Sequence, residues 1–438
     1  VIGDLSLDAY WTVDMTRALL SRETPRFPRP IVHERYAPGA GSNVAQNLAG
    51  LDIAQVTVFS VLGADWRGDL LRREMEARGI DTGALIQSPQ RSTTAYIKPL
   101  LTGYESQQED SRLDFENADP LSSALEEALI ESIAGDLRDL DAVIVADQFE
   151  INGVVTERVR KALIGLATRH PDRVFVADSR TRIGLFKQMV LKPNWREAAT
   201  ATGHDPTQED RGLQWTVARE LAQMTERPVY LTLSGKGVLV ATGEHQDQIP
   251  AAPVTPPLDP VGAGDTFVAT MTTALAAGAT PTEAGAMANL AAAVVVEKLS
   301  ETGTASPDEI LARWSLTQSV VDDAQSHRPY RQPRAFRLVG GHPSERHPRT
   351  GTPRTLRFRR HHLGDPAWVG RCDDPADGGN HHRWTPRSTR SGDRGHRLRR
   401  PFHRHPHDQT DGMAGRRRTP VRAGLRTQNG ARIQAHLQ

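Results

Sequence analysis

Hydrophobic positions in the first 315 residues follow two rhythms. Short apolar runs at 56–62, 142–146, 174–177, 190–191, 229–233 and 237–241 predict strands. Between them, the stretches 43–51, 66–78, 121–137, 154–169, 213–225, 263–277 and 282–299 predict helices. Strand and helix alternate, which predicts an α/β fold whose mostly parallel sheet is covered by helices on both faces. Ligands of such sheets meet the carboxyl ends of the strands. The segments 9–38 and 93–115 fit this alternation poorly.

Composition then divides the chain. Residues 327–438 hold 25 Arg, no Lys, 12 of the 16 His and 8 acidic residues, a formal charge of +17, so residues 1–326 carry −16 of the whole-chain +1. The body is the size of one large domain, or of one domain with a small attachment. The expected organisation is a domain over 1–315, a linker over 316–326 and a tail over 327–438. In the tail, Leu and Val are scattered without period among Arg, His, Pro and Gly. Such a segment cannot bury enough apolar surface to offset chain entropy, and disorder is expected.

Three readings of the tail are open: a basic arm for nucleic acid, a metal site on the alternating His403, His405 and His407, or a GC-rich gene read in a shifted frame. Abundant Arg without a single Lys favours the third, under which neither the tail nor its Cys372 has a function and nucleic acid is not a partner. At the other end, Val1-Ile2-Gly3-Asp4 looks like the last part of a strand, so several preceding residues are expected to be missing. The body has no Cys and hence no disulfide framework, no apolar run approaches the ~20 residues that span a bilayer, and no signal peptide opens the chain. A cytoplasmic location without membrane contact is the expectation.

Candidate chemistry concentrates in Asp259-Pro260-Val261-Gly262-Ala263-Gly264-Asp265-Thr266-Phe267, where a proline-rich loop gives way to an Ala-rich helix. The first N–H groups of a helix lack internal partners and sit at the positive end of its dipole, so they bind anions. Gly262 and Gly264 have no side chain to keep a phosphate away, and Asp265 can take a proton from an attacking hydroxyl. Gly262, Ala263, Gly264 and Asp265 are therefore the candidate catalytic residues for phosphoryl transfer to an alcohol. A helix-opening turn capped by Asp265 is the plainer alternative. Neither Gly-x-x-x-x-Gly-Lys-Ser/Thr nor Gly-x-Gly-x-x-Gly occurs, which argues against a P-loop or a dinucleotide fold.

The same segment closely resembles the C-terminal signature of the ribokinase-like (PfkB) carbohydrate kinases. Five more segments resemble that family, in its order: Gly3-Asp4-Leu5-Ser6-Leu7-Asp8-Ala9-Tyr10-Trp11, Pro38-Gly39-Ala40-Gly41-Ser42-Asn43-Val44-Ala45, Gly63-Ala64-Asp65-x-x-Gly68, Lys192-Pro193-Asn194-Trp195-Arg196-Glu197 and Ser234-Gly235-Lys236-Gly237. The resemblance implies a ribokinase-like three-layer fold, with 9–38 and 93–115 forming a small β lid used for homodimer contact. It also implies ATP and Mg²⁺ as cofactors and a sugar or sugar phosphate as substrate.

Residue by residue, the resemblance places Asp4, Asp8, Gly39, Gly41 and Asn43 at the sugar, with Ala40 where the family usually has its second glycine. Asp4 and Asp8 read alone suit a solvated turn, and Asn43 suits a helix cap. Asn194 and Glu197 would orient Mg²⁺-bound water and the nucleotide phosphates, with Lys192 as an extra charge, although their spacing is also that of a capping box. Ser234, Lys236 and Gly237 would form a turn beside the nucleotide, and Asn289 would lie near adenine.

Asp8-Ala9-Tyr10-Trp11 together with residues 107–116 is most similar to the kinase half of the bifunctional enzymes that make ADP-heptose, which phosphorylate C1 of a heptose 7-phosphate. Arg112 and Asp114 are then the candidate contacts to a phosphorylated sugar, since Arg matches phosphate geometry bidentately; a surface ion pair explains them as well. The His-x-Gly-His motif of the adenylyltransferase half does not occur, so at most one of the two activities is expected. The rival readings are an inactive or damaged kinase remnant and nucleic-acid binding through the tail.

Overall fold

The computed structural model describes residues 1–103, 107–299 and 303–325, of which 318–325 in backbone alone. The basic tail expected over 327–438, with its histidines and Cys372, lies outside the described residues.

In chain order, β1 (Ile2–Gly3) runs into β2 (Leu5–Asp14), β3 (Ile31–Ala40) and α1 (Gly41–Gly50). Next come β4 (Ser60–Gly63), α2 (Trp66–Glu76), β5 (Leu85–Ser88), β6 (Ala95–Thr102), β7 (Gln108–Glu109) and β8 (Leu113–Phe115). A regular alternation follows: α3 (Ser123–Asp136), β9 (Ala142–Asp147), α4 (Glu157–Arg169), β10 (Val174–Ser179), β11 (Val190–Leu191), α5 (Trp195–Ala201), α6 (Arg211–Thr225) and β12 (Val229–Thr232). The hairpin β13 (Val238–Ala241) and β14 (Gln246–Ile249) precedes three helices, α7 (Ala263–Ala276), α8 (Pro281–Val295) and α9 (Pro307–Gln325).

A seven-stranded sheet, ordered β1-β9-β10-β11-β12-β13-β14, forms the middle layer. It is parallel from β1 to β12 and closes with the antiparallel hairpin. The strand pleat sends alternate side chains to opposite faces, which explains the unbroken apolar runs: both faces are buried. Val143, Val145, Phe175, Ala177 and Leu231 pack against α3, α4 and α6 through Leu129, Leu163 and Leu221. Ile144, Val176, Tyr230 and Val240 face the other way, onto Val44, Phe267, Met271 and Ala288 of α1, α7 and α8. Three layers result, as the alternation predicts.

The two poorly fitting segments form a five-stranded sheet of their own, in which β2 pairs with β3 antiparallel and with β6 in parallel. One face of this lid, with Leu5, Leu7 and Ala95, packs on Leu71 and Met75 of α2. Asp65 caps α2 by accepting from Gly68 N–H at 2.9 Å, and its other oxygen accepts from Thr93 N–H at 2.9 Å, so the Gly63-x-Asp65-x-x-Gly68 motif anchors the root of β6.

One expectation is corrected. The linker placed at 316–326 is helical as far as Gln325, because α9 continues through it and packs Ile310 into the second core. β14 has no apolar run to betray it, since its residues are half-buried or exposed.

Candidate active site

The mouth of α7 sits at the carboxyl edge of the sheet. Gly262 holds φ at +82°, a left-handed conformation that glycine adopts without strain, and turns the chain into the helix. Ala263 N–H is taken by Pro260 C=O at 3.2 Å, whereas the N–H groups of Gly264 and Asp265 make no hydrogen bond among the described residues. The anion-binding donors are thus fewer than the four residues suggest. Beside them, Asp265 Oδ2 accepts from Asn43 Nδ2 at 2.6 Å. Desolvation and the nearby Asp178 push the Asp265 carboxyl up to about 6, against the pull of Asn43, Lys192 and Arg180.

This bond is one strand of a seam between α1 and α7. Asn47 donates from Nδ2 to Asn43 C=O at 2.9 Å, and its Oδ1 accepts from Thr266 Oγ1 at 2.6 Å. Buried amides in such a network hold one arrangement, because each unmet group costs about 1–3 kcal/mol. Asn43 is therefore less a cap than a clamp on Asp265.

Lys192 is buried under the same mouth. Its ammonium pairs with Asp178 at 3.0 Å and lies 3.9 Å from where a Cβ on Gly264 would stand. Burial works against its charge, but Asp178, Glu197 and Asp265 outweigh it and hold the ammonium above the ordinary lysine range. Asn194 and Glu197 form a full capping box on α5, with Asn194 Oδ1 accepting from Glu197 N–H at 2.9 Å and Glu197 Oε2 accepting from Asn194 N–H at 2.8 Å. A carboxylate has about four acceptor positions, so Glu197 retains capacity for a further ligand. Burial and Asp178 raise its pKa, against the pull of Lys192. No cluster of three metal-ligating side chains occurs among the described residues.

On the lid side, Asp8 is buried and pairs with Lys98 at 2.9 Å. Gly39 abuts it: a Cβ there would stand 2.6 Å from Asp8 Oδ1, so only glycine leaves the carboxylate its place. Gly41 opens α1, its N–H donating to Asp4 C=O at 2.8 Å. Asp4 itself corrects the expectation of a sugar contact. It is wholly buried, and its carboxylate accepts from the N–H groups of Gln148 at 2.8 Å, Phe149 at 2.7 Å and Val154 at 2.7 Å. Burial pushes it up to about 7 against those three donors. Because β1 pairs with β9, Asp4 is set to fix the loop after β9 rather than to face the lid.

Arg112 and Asp114 make the surface pair that was the alternative reading, with both hydrogen bonds at 2.6 Å. Strand register nevertheless puts them to use. Asp8 lies opposite Tyr96 and Tyr96 opposite Asp114; Tyr10 lies opposite both Arg35 and Lys98. Arg35 and Lys98 stack on the Tyr10 ring at 4.1 and 4.7 Å, and Arg112 on Tyr96 at 4.8 Å. One lid face therefore carries three cations around Asp8.

A second group of predicted residues gathers further along the sheet edge. Ser234 and Lys236 make the turn between β12 and β13, ended by Gly237 at φ +90°, where a Cβ would stand 2.0 Å from Ile249 C=O. Asn289 donates to that same carbonyl at 3.3 Å and to Pro250 C=O at 3.1 Å, tying α8 to the start of the loop that leads to Gly262. Lys236 is exposed and turns to Glu209, 2.9 Å away.

Sequence reasoning missed Lys98, Asp178 and Arg180. Asp178 directly follows the apolar run of β10, a carboxylate at a strand's carboxyl end, and that signal was available. Lys98 is tied to Asp8 by strand register, which no local motif reports.

The pattern of the pfkB family carbohydrate kinases matches residues 29–309. The bifunctional protein HldE of Trichlorobacter lovleyi is 31% identical over 329 residues, 75% of this chain and 65% of that protein. HldE of Nitrobacter winogradskyi is 33% identical over 303 residues, 68% of this chain and 59% of its own length. The chain thus spans less than two thirds of these relatives. Among solved structures, Escherichia coli phosphofructokinase-2 in complex with potassium superposes with a TM-score of 0.58 at 17% identity, covering 72% of this chain and 98% of that one. Ribokinase of Thermotoga maritima gives 0.53 at 20% identity with the same coverage. The chain belongs to the pfkB family of carbohydrate kinases.

Proposed function

We propose that the chain transfers the γ-phosphate of ATP to a hydroxyl of a phosphorylated sugar, with C1 of a heptose 7-phosphate as the acceptor its sequence favours. The Asn43–Asp265 hydrogen bond carries this reading, since it joins the carbohydrate wall to the anion-binding helix mouth. Asp265 accepts the proton of the attacking hydroxyl. At about 6 its carboxyl is a stronger base than an ordinary aspartate and is still ionised at pH 7. The free N–H groups of Gly264 and Asp265, with Lys192 beneath them, oppose the charge of the transferring group. Asn194 and Glu197 would hold the water shell of a nucleotide-bound magnesium ion, which would supply further charge neutralisation. The Ser234–Gly237 turn and Asn289 form the nucleotide side, and Asp8, Gly39, Gly41 and Asn43 the acceptor side.

A phosphorylated acceptor is supported by the cations Arg35, Lys98 and Arg112 on one face of the lid, and the bifunctional HldE relatives favour the same acceptor class. The edge strand β3 exposes Ile31 and Val32, which suits the expected homodimer through the lid. No helix among the described residues is long and apolar enough to cross a membrane, and we place the enzyme in the cytoplasm. The test is ADP release by the purified chain with MgATP against a panel of free and phosphorylated sugars. Preference for heptose 7-phosphate supports the reading, whereas turnover of unphosphorylated sugars alone removes the sugar-phosphate assignment.

A further inference from the structure

Three strong cations described so far at the cleft have a carboxylate partner. Lys98 is paired with Asp8, Arg112 with Asp114 and Lys192 with Asp178. Arg182 is saturated by Asp147 and the carbonyls of Phe149 and Glu150. Arg180 differs. It follows Asp178 on the carboxyl edge of the sheet and its side chain is exposed. Among the described residues its guanidinium makes one side-chain hydrogen bond, to the neutral Gln148 Oε1 at 3.3 Å, and no ion pair. A guanidinium presents five donors and keeps its charge at any working pH, so most of its capacity for an anion is uncommitted.

Its backbone sits close to the transfer site, since Asp178, two positions earlier, pairs with Lys192 beneath the helix mouth. The charge of Arg180 is felt by Asp265 and Glu197 at the transfer site, and by Tyr96 on the lid, whose ring carries Arg112. Tyr96 in turn lies opposite Asp8 in the strand register. The helix mouth and Lys192 already serve the transferring group from beneath, which leaves the exposed Arg180 side chain for a second anion.

We propose that Arg180 is a specificity-determining residue that binds the acceptor's own phosphate, closing on it from the sheet edge while the lid's Arg112 and Lys98 face it from the other side. The inference rests on the sugar-phosphate reading above and assigns the residue that makes the distinction. A charge-assisted bidentate contact of this kind contributes ~10- to 100-fold in affinity.

The test compares the intact chain with its Arg180→Gln and Arg180→Lys variants in two assays. In the first, kcat and KM are measured for heptose 7-phosphate and for the free heptose; in the second, inorganic phosphate binding is measured by calorimetry without nucleotide. The expected result is a ~10- to 100-fold fall in the ratio of kcat/KM between the phosphorylated and free sugar in Arg180→Gln, entering through KM, with weaker phosphate binding and partial recovery in Arg180→Lys. An equal loss on both acceptors confined to kcat, with phosphate binding retained, would assign Arg180 to the transferring group and overturn the proposal. An unchanged ratio would overturn it too. If the parent chain turns over neither sugar, the sugar-phosphate reading fails by itself, and the binding assay still decides: Arg180→Gln must weaken phosphate binding for the anion site to stand.

Discussion

Asn43 and Asp265, 222 positions apart in sequence, meet at 2.6 Å between Nδ2 and Oδ2. Asn43 begins the helix that leaves the lid, and Asp265 begins the helix that closes the phosphate side, so this bond sets the base in register with the acceptor wall. It also favours the charged form of Asp265. Asn43→Ala removes that donor and is expected to move the acid limb of the kcat/KM profile upward from about pH 6 by about one pH unit. A pH–rate profile checks this; an unmoved or lowered limb would show that Asn43 does not hold the ionised carboxylate.

The same raised pKa has a cost for folding. The folded-state pKa of Asp265, about 6, lies above the ordinary aspartate value of 3.8, so the folded state holds this proton more tightly than the unfolded chain does. Stability from this group is then fully present below about pH 4 and is lost as pH rises through about 6. Asp265→Asn, which carries no charge at any of these pH values, should be more stable than the parent at pH 8 by on the order of 1 kcal/mol, and equal to it near pH 4. Denaturant melts at the two pH values would detect the difference.

Ala40 caps α1 at φ +49°, ψ −132°, a conformation that side chains resist. Ala40→Gly relieves this strain and is expected to raise stability by about 1 kcal/mol, even though glycine usually destabilises through unfolded-state entropy. A fall in the denaturation midpoint would contradict it.

Asp8 is the lid's candidate for gripping an acceptor hydroxyl, with Lys98 and Gly39 fixing its carboxylate. Asp8→Asn should raise the acceptor KM by ~10- to 100-fold, the worth of a charge-assisted hydrogen bond. The KM for ATP should stay within about twofold, because the residues facing the nucleotide lie on other elements. A rise confined to the ATP KM would relocate Asp8.

The central sheet was legible because its strands are buried on both faces: runs such as those of β9 and β10 contain little but apolar residues. The lid escaped periodicity, since β2 and β3 bury one face along part of their length and present the other to the cleft or to solvent. At the site, the glycines of the α7 mouth and the pair Asn194 and Glu197 were readable from local spacing. What local spacing could not reveal was pairing across the fold. Asp4 looks like any carboxylate at a strand end, and only the neighbouring β9 loop captures it. Lys98 and Arg180 owe their positions to strand register and to a loop, and neither lies in a motif.

The most direct test of the central claim is steady-state kinetics of Asp265→Asn, which keeps the shape of the side chain and removes the base. Turnover should fall by ~10²-fold or more while the KM values for ATP and acceptor stay near those of the parent. Near-normal turnover in that variant would contradict the assignment of Asp265 as the group that takes the acceptor's proton.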